Sequence, residues 1–252
     1  MIKSADSGQT IIINEMQMYC EIIGQGDPLV LLHSFSRTSA DWRLIFNYPL
    51  NRYRLIIPDL RGHGRSTNPS MVFTHRQSAF DIFALLDQLG IEKFKAIGVR
   101  CGANILLHMA TQQPARVEAM MLLSAAHYYP EQTRTIMRQL SLKSRTEEEW
   151  RSMREMHRHG DDQIRALWTQ GSGFKDSYDD MNFTPSCLSK ITARTLIAHS
   201  DRDPLYPINL PVELHAAIPK SNLWIIPDVG RGPVFGVMPD QFANTAMAFL
   251  GG

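Results

Sequence analysis

Short, nearly continuous apolar runs alternate along the chain with segments whose apolar residues recur at helical spacing. The runs are PLVLLHS (28–34), RLIIPDL (54–60), FKAIGVR (94–100), VEAMMLLSA (117–125), ARTLIAHS (193–200) and NLWIIPD (222–228), each ending in a polar or glycine-rich loop. A strand with water on one face alternates apolar and polar residues, so continuous hydrophobicity predicts strands covered on both faces. QTIIIN (9–14) and MQMYCEII (16–23) predict a leading pair of strands, with Gly24 to Pro28 as the turn that follows. Between the runs, HRQSAFDIFALLDQLG (75–90) spaces Ala79, Ile82, Phe83, Leu86 and Leu89 for one helical face and ends on Gly90, a helix stop signal. Residues 102–113 and 239–250 read as helices in the same way. The alternation predicts an α/β fold whose mostly parallel central sheet is flanked by helices.

The interval 127–190 breaks this rhythm. It is too long and too patterned for a loop, and predicts an inserted helical cap, with residues 1–126 and 191–252 forming the core. Within it, Thr146 to Glu149 has the form of a capping box, in which threonine hydroxyl and glutamate carboxylate satisfy reciprocal backbone donors at a helix start. Met137, Met153 and Met156 are expected to serve in packing.

Composition narrows the class without naming a function. The 252 residues are 44% apolar and 20% charged, enough for one full core. Lysine and arginine number 26 against 25 acidic residues, a net charge of +1, so neither nucleic acid nor an anionic membrane is an expected partner. Oligomeric state is not legible. Cys20, Cys101 and Cys187 are odd in number and widely spaced, which predicts neither a disulfide framework nor a metal site. The opening residues lack the apolar run of a signal peptide, and no stretch approaches the roughly 20 apolar residues that span a bilayer. The expected location is the cytoplasm.

In open α/β sheets ligands bind beyond the carboxyl ends of the strands. The residues there are LLHSF (31–35), IIPDLRGHGRST (56–67), IGVRCGAN (97–104), AHSDRDPLYP (198–207) and IPDVGRGPVF (226–235). In order and spacing they resemble the α/β-hydrolase fold superfamily, in particular its small-molecule esterase and lactonase-like branch with a helical cap. The resemblance implies a nucleophilic serine on a sharp strand-to-helix turn, G-x-S-x-G, followed in chain order by an acid and a histidine. Gly98 and Gly102 keep the turn, and the acid falls on Asp203. The serine position reads Arg100 and the histidine position Arg231. A guanidinium offers no lone pair and no accessible neutral form, so neither arginine can act as nucleophile or general base. The same resemblance puts the oxyanion-hole amides on Phe35 and Cys101, and Ser34, Ser200 and Cys101 depart from the small residues usual at their positions.

Cys101 is the one candidate for a substitute nucleophile, since a neighbouring guanidinium favours a thiolate, but its expected role is that of a small buried hydrophobe. His33 and His63 belong to loop-shaping motifs, and His108, His199 and His215 fall on helix or strand segments; structural roles are expected for all five. His157 and His159, two apart, do not share a helical face for metal binding. No metal or cofactor is predicted.

Asp203 is expected to pair with Arg231. For Arg100 two readings stay open: it binds the carboxylate or phosphate of a small ligand under the cap together with Arg231 and Ser34, or it pairs with a cap acid such as Asp179 or Asp180. Three function classes follow. One is a hydrolase-fold protein with a degenerate triad that binds a ligand without serine chemistry, one is a lyase, isomerase or cyclase of different mechanism, and one is an esterase or lactonase using residues not yet identified.

Overall fold

The computed structural model describes residues 8–47, 52–139, 145–228, 230 and 239–251. Eight strands form one sheet: β1 (Gly8–Ile13), β2 (Met16–Ile23), β3 (Asp27–Leu32), β4 (Tyr53–Pro58), β5 (Phe94–Val99), β6 (Val117–Leu123), β7 (Arg194–Ser200) and β8 (Ser221–Ile226). Their order is β1-β2-β4-β3-β5-β6-β7-β8. The β1/β2 and β2/β4 pairs are antiparallel and all the others parallel.

Continuous apolar runs do cover both faces. Within β3, Val30 and Leu32 face one core cluster and Leu29 and Leu31 the other. The first cluster takes in α1 (His75–Gln88), α2 (Cys101–Gln112) and α7 (Asn209–Ala217); the second is closed by Trp42 and by Phe242, Ala246 and Leu250 of α8 (Pro239–Gly251). Helix α1 starts where Thr74 accepts the Gln77 N–H at 3.0 Å. It stops two residues before Gly90, whose φ of +68° suits glycine.

Two boundaries differ from those expected. Pro28, expected both to close the turn and to open the run 28–34, is the second residue of β3, opposite Arg54. As the second residue of its strand it gives up a ladder donor only at the start of the strand, where the cost is small. The apolar runs also outlast several ladders. His33 and Ser34 follow the end of β3 and Asp59 the end of β4, leaving the sheet to build the loops at its carboxyl edge.

Between β6 and β7 lie α3 (Glu131–Gln139), α4 (Glu147–Met156), α5 (Asp161–Gly173) and the short α6 (Pro185–Leu188). The capping box forms as expected: Thr146 Oγ1 accepts the Glu149 N–H at 3.2 Å while Glu149 Oε2 accepts the Thr146 N–H at 2.8 Å. Met153 packs in a small cluster with Ile164, Leu167 and Trp168, with Met156 at its edge, whereas Met137 joins the main core.

Candidate functional site

Arg100 is the single residue between β5 and α2. Its φ of 51° and ψ of −108° lie in a region costly for any residue with a Cβ, by about 1–3 kcal/mol. The turn is held on both sides, since the Arg100 N–H donates to Leu123 O at 2.8 Å and Arg100 O accepts the Asn104 N–H at 2.8 Å. It is also tight: a Cβ on Gly102 would stand 2.3 Å from the Leu32 carbonyl oxygen.

The Arg100 side chain is buried. Its Nη2 donates to Asp203 Oδ2 at 2.5 Å, and the Asp203 side chain is fully buried. The other oxygen, Oδ1, accepts the amides of Leu205 at 2.9 Å and Tyr206 at 3.1 Å. The guanidinium carbon stands 5.3 Å from the centre of the Tyr206 ring, a favourable placement for a cation on an aromatic face. Arg100 Nη1, also buried, takes no hydrogen-bond partner among the described residues.

Asp203 binds Arg100, while Arg231 lies outside the described residues. Asp180 is not available to Arg100 either, because its carboxylate already accepts the side chain and amide of His75 and the amide of Arg76. A carboxylate buried as completely as Asp203 needs a cation in contact, and the guanidinium at the turn supplies it.

A cavity of about 300 Å³ opens beneath α3 and α5, and Ser34, Phe35, Arg100 and Cys101 all line it. The sequence-derived site residues other than Asp203 and Arg231 are thus brought to one wall. Cys101 begins α2, so its N–H has no acceptor within the helix. Its thiol is not activated. Burial first, and the Asp180 charge second, push it well above the ordinary cysteine range, against the influence expected from Arg100.

Three residues of the cavity were not singled out by sequence reasoning. Arg145 binds Glu149 through Nη1 at 2.8 Å and lies 5.2 Å from the Trp168 ring centre, yet its buried Nε takes no partner among the described residues. His75 and Tyr129 join it on the wall, and no Asp or Glu side chain does. No motif marks these positions. His75 is merely the first residue after a helix cap, and Arg145 reads as an ordinary charge before the capping box.

His75 Nδ1 meets Asp180 Oδ2 at 2.6 Å, and the same carboxylate accepts the amides of His75 at 2.8 Å and Arg76 at 3.0 Å. Burial opposes the Asp180 charge, but the His75 side chain and these amides outweigh it and hold the carboxyl well below the usual range. The Tyr129 hydroxyl lies 3.4 Å from His75 Nε2 and accepts from Asn104 Nδ2 at 3.3 Å. Burial, then neighbouring Tyr206 and Cys101, keep the Tyr129 phenol protonated far above its ordinary value.

The other buried imidazoles serve structure. His33 donates from Nδ1 to Ser34 O at 2.7 Å and accepts the Leu60 N–H at Nε2 at 2.9 Å. His63 binds Arg61 O at 2.9 Å, and His157 accepts the Gly64 N–H at 2.8 Å, tying the segment after α4 to the loop after β4. His108 reaches Asp180 O at 2.7 Å and His199 reaches Tyr206 O at 3.0 Å. On the surface, His159 meets Arg65 O at 3.0 Å and His215 meets Ser221 Oγ at 3.0 Å. Among the described residues no group of three or more potential metal ligands converges, and no helix is long and apolar enough to cross a membrane.

A family model described as alpha/beta hydrolase fold matches residues 27–146. The soluble epoxide hydrolase of Corynebacterium sp. (strain C12) is 33% identical over 112 residues, covering 44% of this chain and 39% of that protein. Epoxide hydrolase 3 of Siraitia grosvenorii is 35% identical over 118 residues, covering 46% and 37%. The matched stretch thus spans about two fifths of these relatives' length. Among solved structures, the meta-cleavage product hydrolase of Pseudomonas fluorescens IP01, in a mutant form complexed with acetates, superposes with a TM-score of 0.79 at 20% identity, covering 98% of each chain. The enol-lactonase of Burkholderia xenovorans LB400 gives 0.78 at 18% identity, covering 97% of this chain and 100% of the other.

Proposed function

We propose that this chain, which has the α/β-hydrolase fold, binds a small carboxylate-bearing molecule beneath α3 and α5 without forming an acyl-enzyme. The observation that carries this reading is the cavity wall: Arg100 and Arg145, paired with Asp203 and Glu149, each keep a further buried N–H without a partner among the described residues, and neither of those carboxylates lines the cavity. Asp203 balances the Arg100 charge and Glu149 that of Arg145, so both arginines contribute charge-assisted hydrogen-bond donors rather than a free charge. In a site of low dielectric such charge-assisted bonds are short and strong.

Serine-type chemistry has no place in this reading. An arginine at the turn cannot attack an acyl carbon, the Cys101 thiol is held protonated, and it makes no hydrogen bond to an imidazole among the described residues. A fold shared with esterases, lactonases and epoxide hydrolases does not itself supply their reaction.

The protein is therefore expected to leave short p-nitrophenyl esters uncleaved and to escape labelling by a serine-directed fluorophosphonate. It is expected to bind 2-oxobutanoate in calorimetry, and Arg145→Gln should weaken that binding about tenfold, the equivalent of ~1.4 kcal/mol. Ester turnover blocked by the fluorophosphonate, or carboxylate binding indifferent to Arg145, would overturn the reading.

A further inference from the structure

We infer that His75 and Asp180 form a general base within the cavity, so that the protein moves a proton on a bound carbonyl acid. The inference rests on the proposed binding of a small carboxylate and adds a reaction to it. A catalytic base needs a lone pair facing the ligand, a partner that fixes its tautomer, and a place for the developing negative charge. The cavity supplies all three.

The tautomer comes first. Asp180 is held ionised by two backbone amides at the start of α1, so its oxygen accepts the Nδ1–H of His75 at 2.6 Å. The proton is thereby placed on Nδ1 and the lone pair on Nε2. His108 backs the arrangement by donating to the Asp180 carbonyl at 2.7 Å, which anchors the residue from the far side. A pair that served only to fasten segment 179–180 to α1 would require the carboxylate and the amides, but not an imidazole whose second nitrogen meets the cavity wall.

The lone pair is weakly engaged. Tyr129 is the neighbour of Nε2 at 3.4 Å, and the Tyr129 oxygen is in turn 3.3 Å from Asn104 Nδ2. Both distances are beyond the usual range for such bonds, so a ligand hydrogen can displace the contact at small cost. Arg100, which lines the same cavity, provides the third element: its buried Nη1 has no partner among the described residues and is suited to an oxygen that gains negative charge.

The step balances without a co-reactant. With the carboxylate of a 2-oxo acid held by Arg145, His75 Nε2 takes a proton from the carbon next to the ketone. The C–H electron pair becomes the C=C bond, and the carbonyl π pair moves to oxygen, where Arg100 Nη1–H receives it. His75, now doubly protonated, returns its proton to carbon. Return of that proton, or of one exchanged with solvent, to the same carbon regenerates the 2-oxo acid with its C3 hydrogen exchanged; delivery to the enolate oxygen instead gives the enol, the proton shift of an isomerase acting on small enolisable acids.

The test is exchange of the C3 hydrogens of 2-oxobutanoate in deuterium oxide, followed by proton NMR with calorimetry on the same samples. The wild-type protein should accelerate exchange, and His75→Gln should reduce it at least about 100-fold, the low end of what a positioned base contributes. That variant should still bind 2-oxobutanoate and keep its melting temperature. In His75→Ala, added imidazole should restore part of the rate, which a fastening role alone would not allow. Binding of 2-oxobutanoate without exchange, or exchange equal in the wild type and His75→Gln, overturns the general base and leaves the proposed binding intact. Absence of binding overturns the binding reading itself and the base with it.

Discussion

Arg100→Ala is expected to cost the fold about 3 kcal/mol, the lower end of what is lost when one member of a buried ion pair is removed. The Asp203 carboxylate, fully buried, would keep only the Leu205 and Tyr206 amides on Oδ1 and nothing charged opposite Oδ2. Those two amides are why the loss stays near the lower end. Against a total stability of roughly 5–15 kcal/mol this is a large fraction, visible in urea unfolding at neutral pH. Adding Asp203→Asn keeps the Oδ1 acceptor and removes the stranded charge, so the double variant should be more stable than Arg100→Ala by about 1–2 kcal/mol.

Arg100→Gly separates the ion pair from the backbone. At φ 51° and ψ −108° the Cβ of arginine or alanine is equally costly, and glycine alone escapes that cost. The glycine variant should therefore unfold at higher urea than the alanine variant by the equivalent of about 1 kcal/mol. If Arg100→Ala unfolds within experimental error of the wild type, the pair is not what holds the strained turn. The strain at this turn is thus borne by a residue whose side chain is a fixed, paired cation.

Much of the fold was legible in the chain because burial on both faces writes itself as an unbroken apolar run. Leu29 to Leu32 could only be a covered strand, and the alternation of its residues between the two core clusters is what that run encodes. The capping box at Thr146 was legible for a different reason, since its chemistry is local and needs only three residues of spacing. Pro28 was read both as the end of the turn and as the start of the strand, because a proline signals a turn by its missing donor, and the register that makes it tolerable in the strand is a property of the neighbouring strand.

The site divides along the same line. Ser34, Phe35, Arg100 and Cys101 follow directly on strands whose ends are predictable, and they share one cavity. Asp203 was placed in the right loop, but its contact with Arg100 was not foreseen, because that cation lies 103 residues away on another strand end. His75 and Asp180 are separated by 105 residues, and Arg145 by more than forty from the nearer of the Arg100 turn and Asp203. Such contacts depend on how the helices between β6 and β7 settle on the sheet. Hydrophobic spacing says that those helices exist and is silent on which of their polar residues turn inward.

Acid is expected to unfold the protein with a midpoint between about pH 4 and 5.5, set by imidazoles before carboxylates. Burial lowers His108 and His157 to about 4 from 6.5. Burial also lowers His33, His63 and His199, with Asp59 opposing it at His33 and the neighbouring His33 and His157 reinforcing it at His63. A neutral imidazole in the folded protein that charges readily when unfolded gives the unfolded chain more bound protons between the two pKa values. Its contribution is fully present above about pH 6.5 and is lost as pH falls toward 4. Asp180 behaves otherwise, since its depressed carboxyl contributes above the ordinary aspartate value and is lost only below it.

Two imidazoles displaced this far are worth about 3 kcal/mol each by pH 4, and the further three add to the same slope. By about pH 4 the sum reaches the size of the whole stability. His157→Asn isolates one contribution, because the asparagine oxygen can still accept the Gly64 N–H that His157 Nδ1 accepts at 2.8 Å. Free energies of unfolding measured from pH 7 to 4.5 should fall steeply in the wild type, by about 1.4 kcal/mol per pH unit for each proton taken up, and by about one proton less in His157→Asn. A stability flat over that range would mean that these rings charge inside the fold. Charging them there would put like charges on rings whose centres are 5.2 Å apart for His33 and His63 and 6.1 Å for His63 and His157. Phe35 meets His63 at 4.9 Å and lines the cavity, so any protonation of this cluster reaches the ligand site as well as the fold.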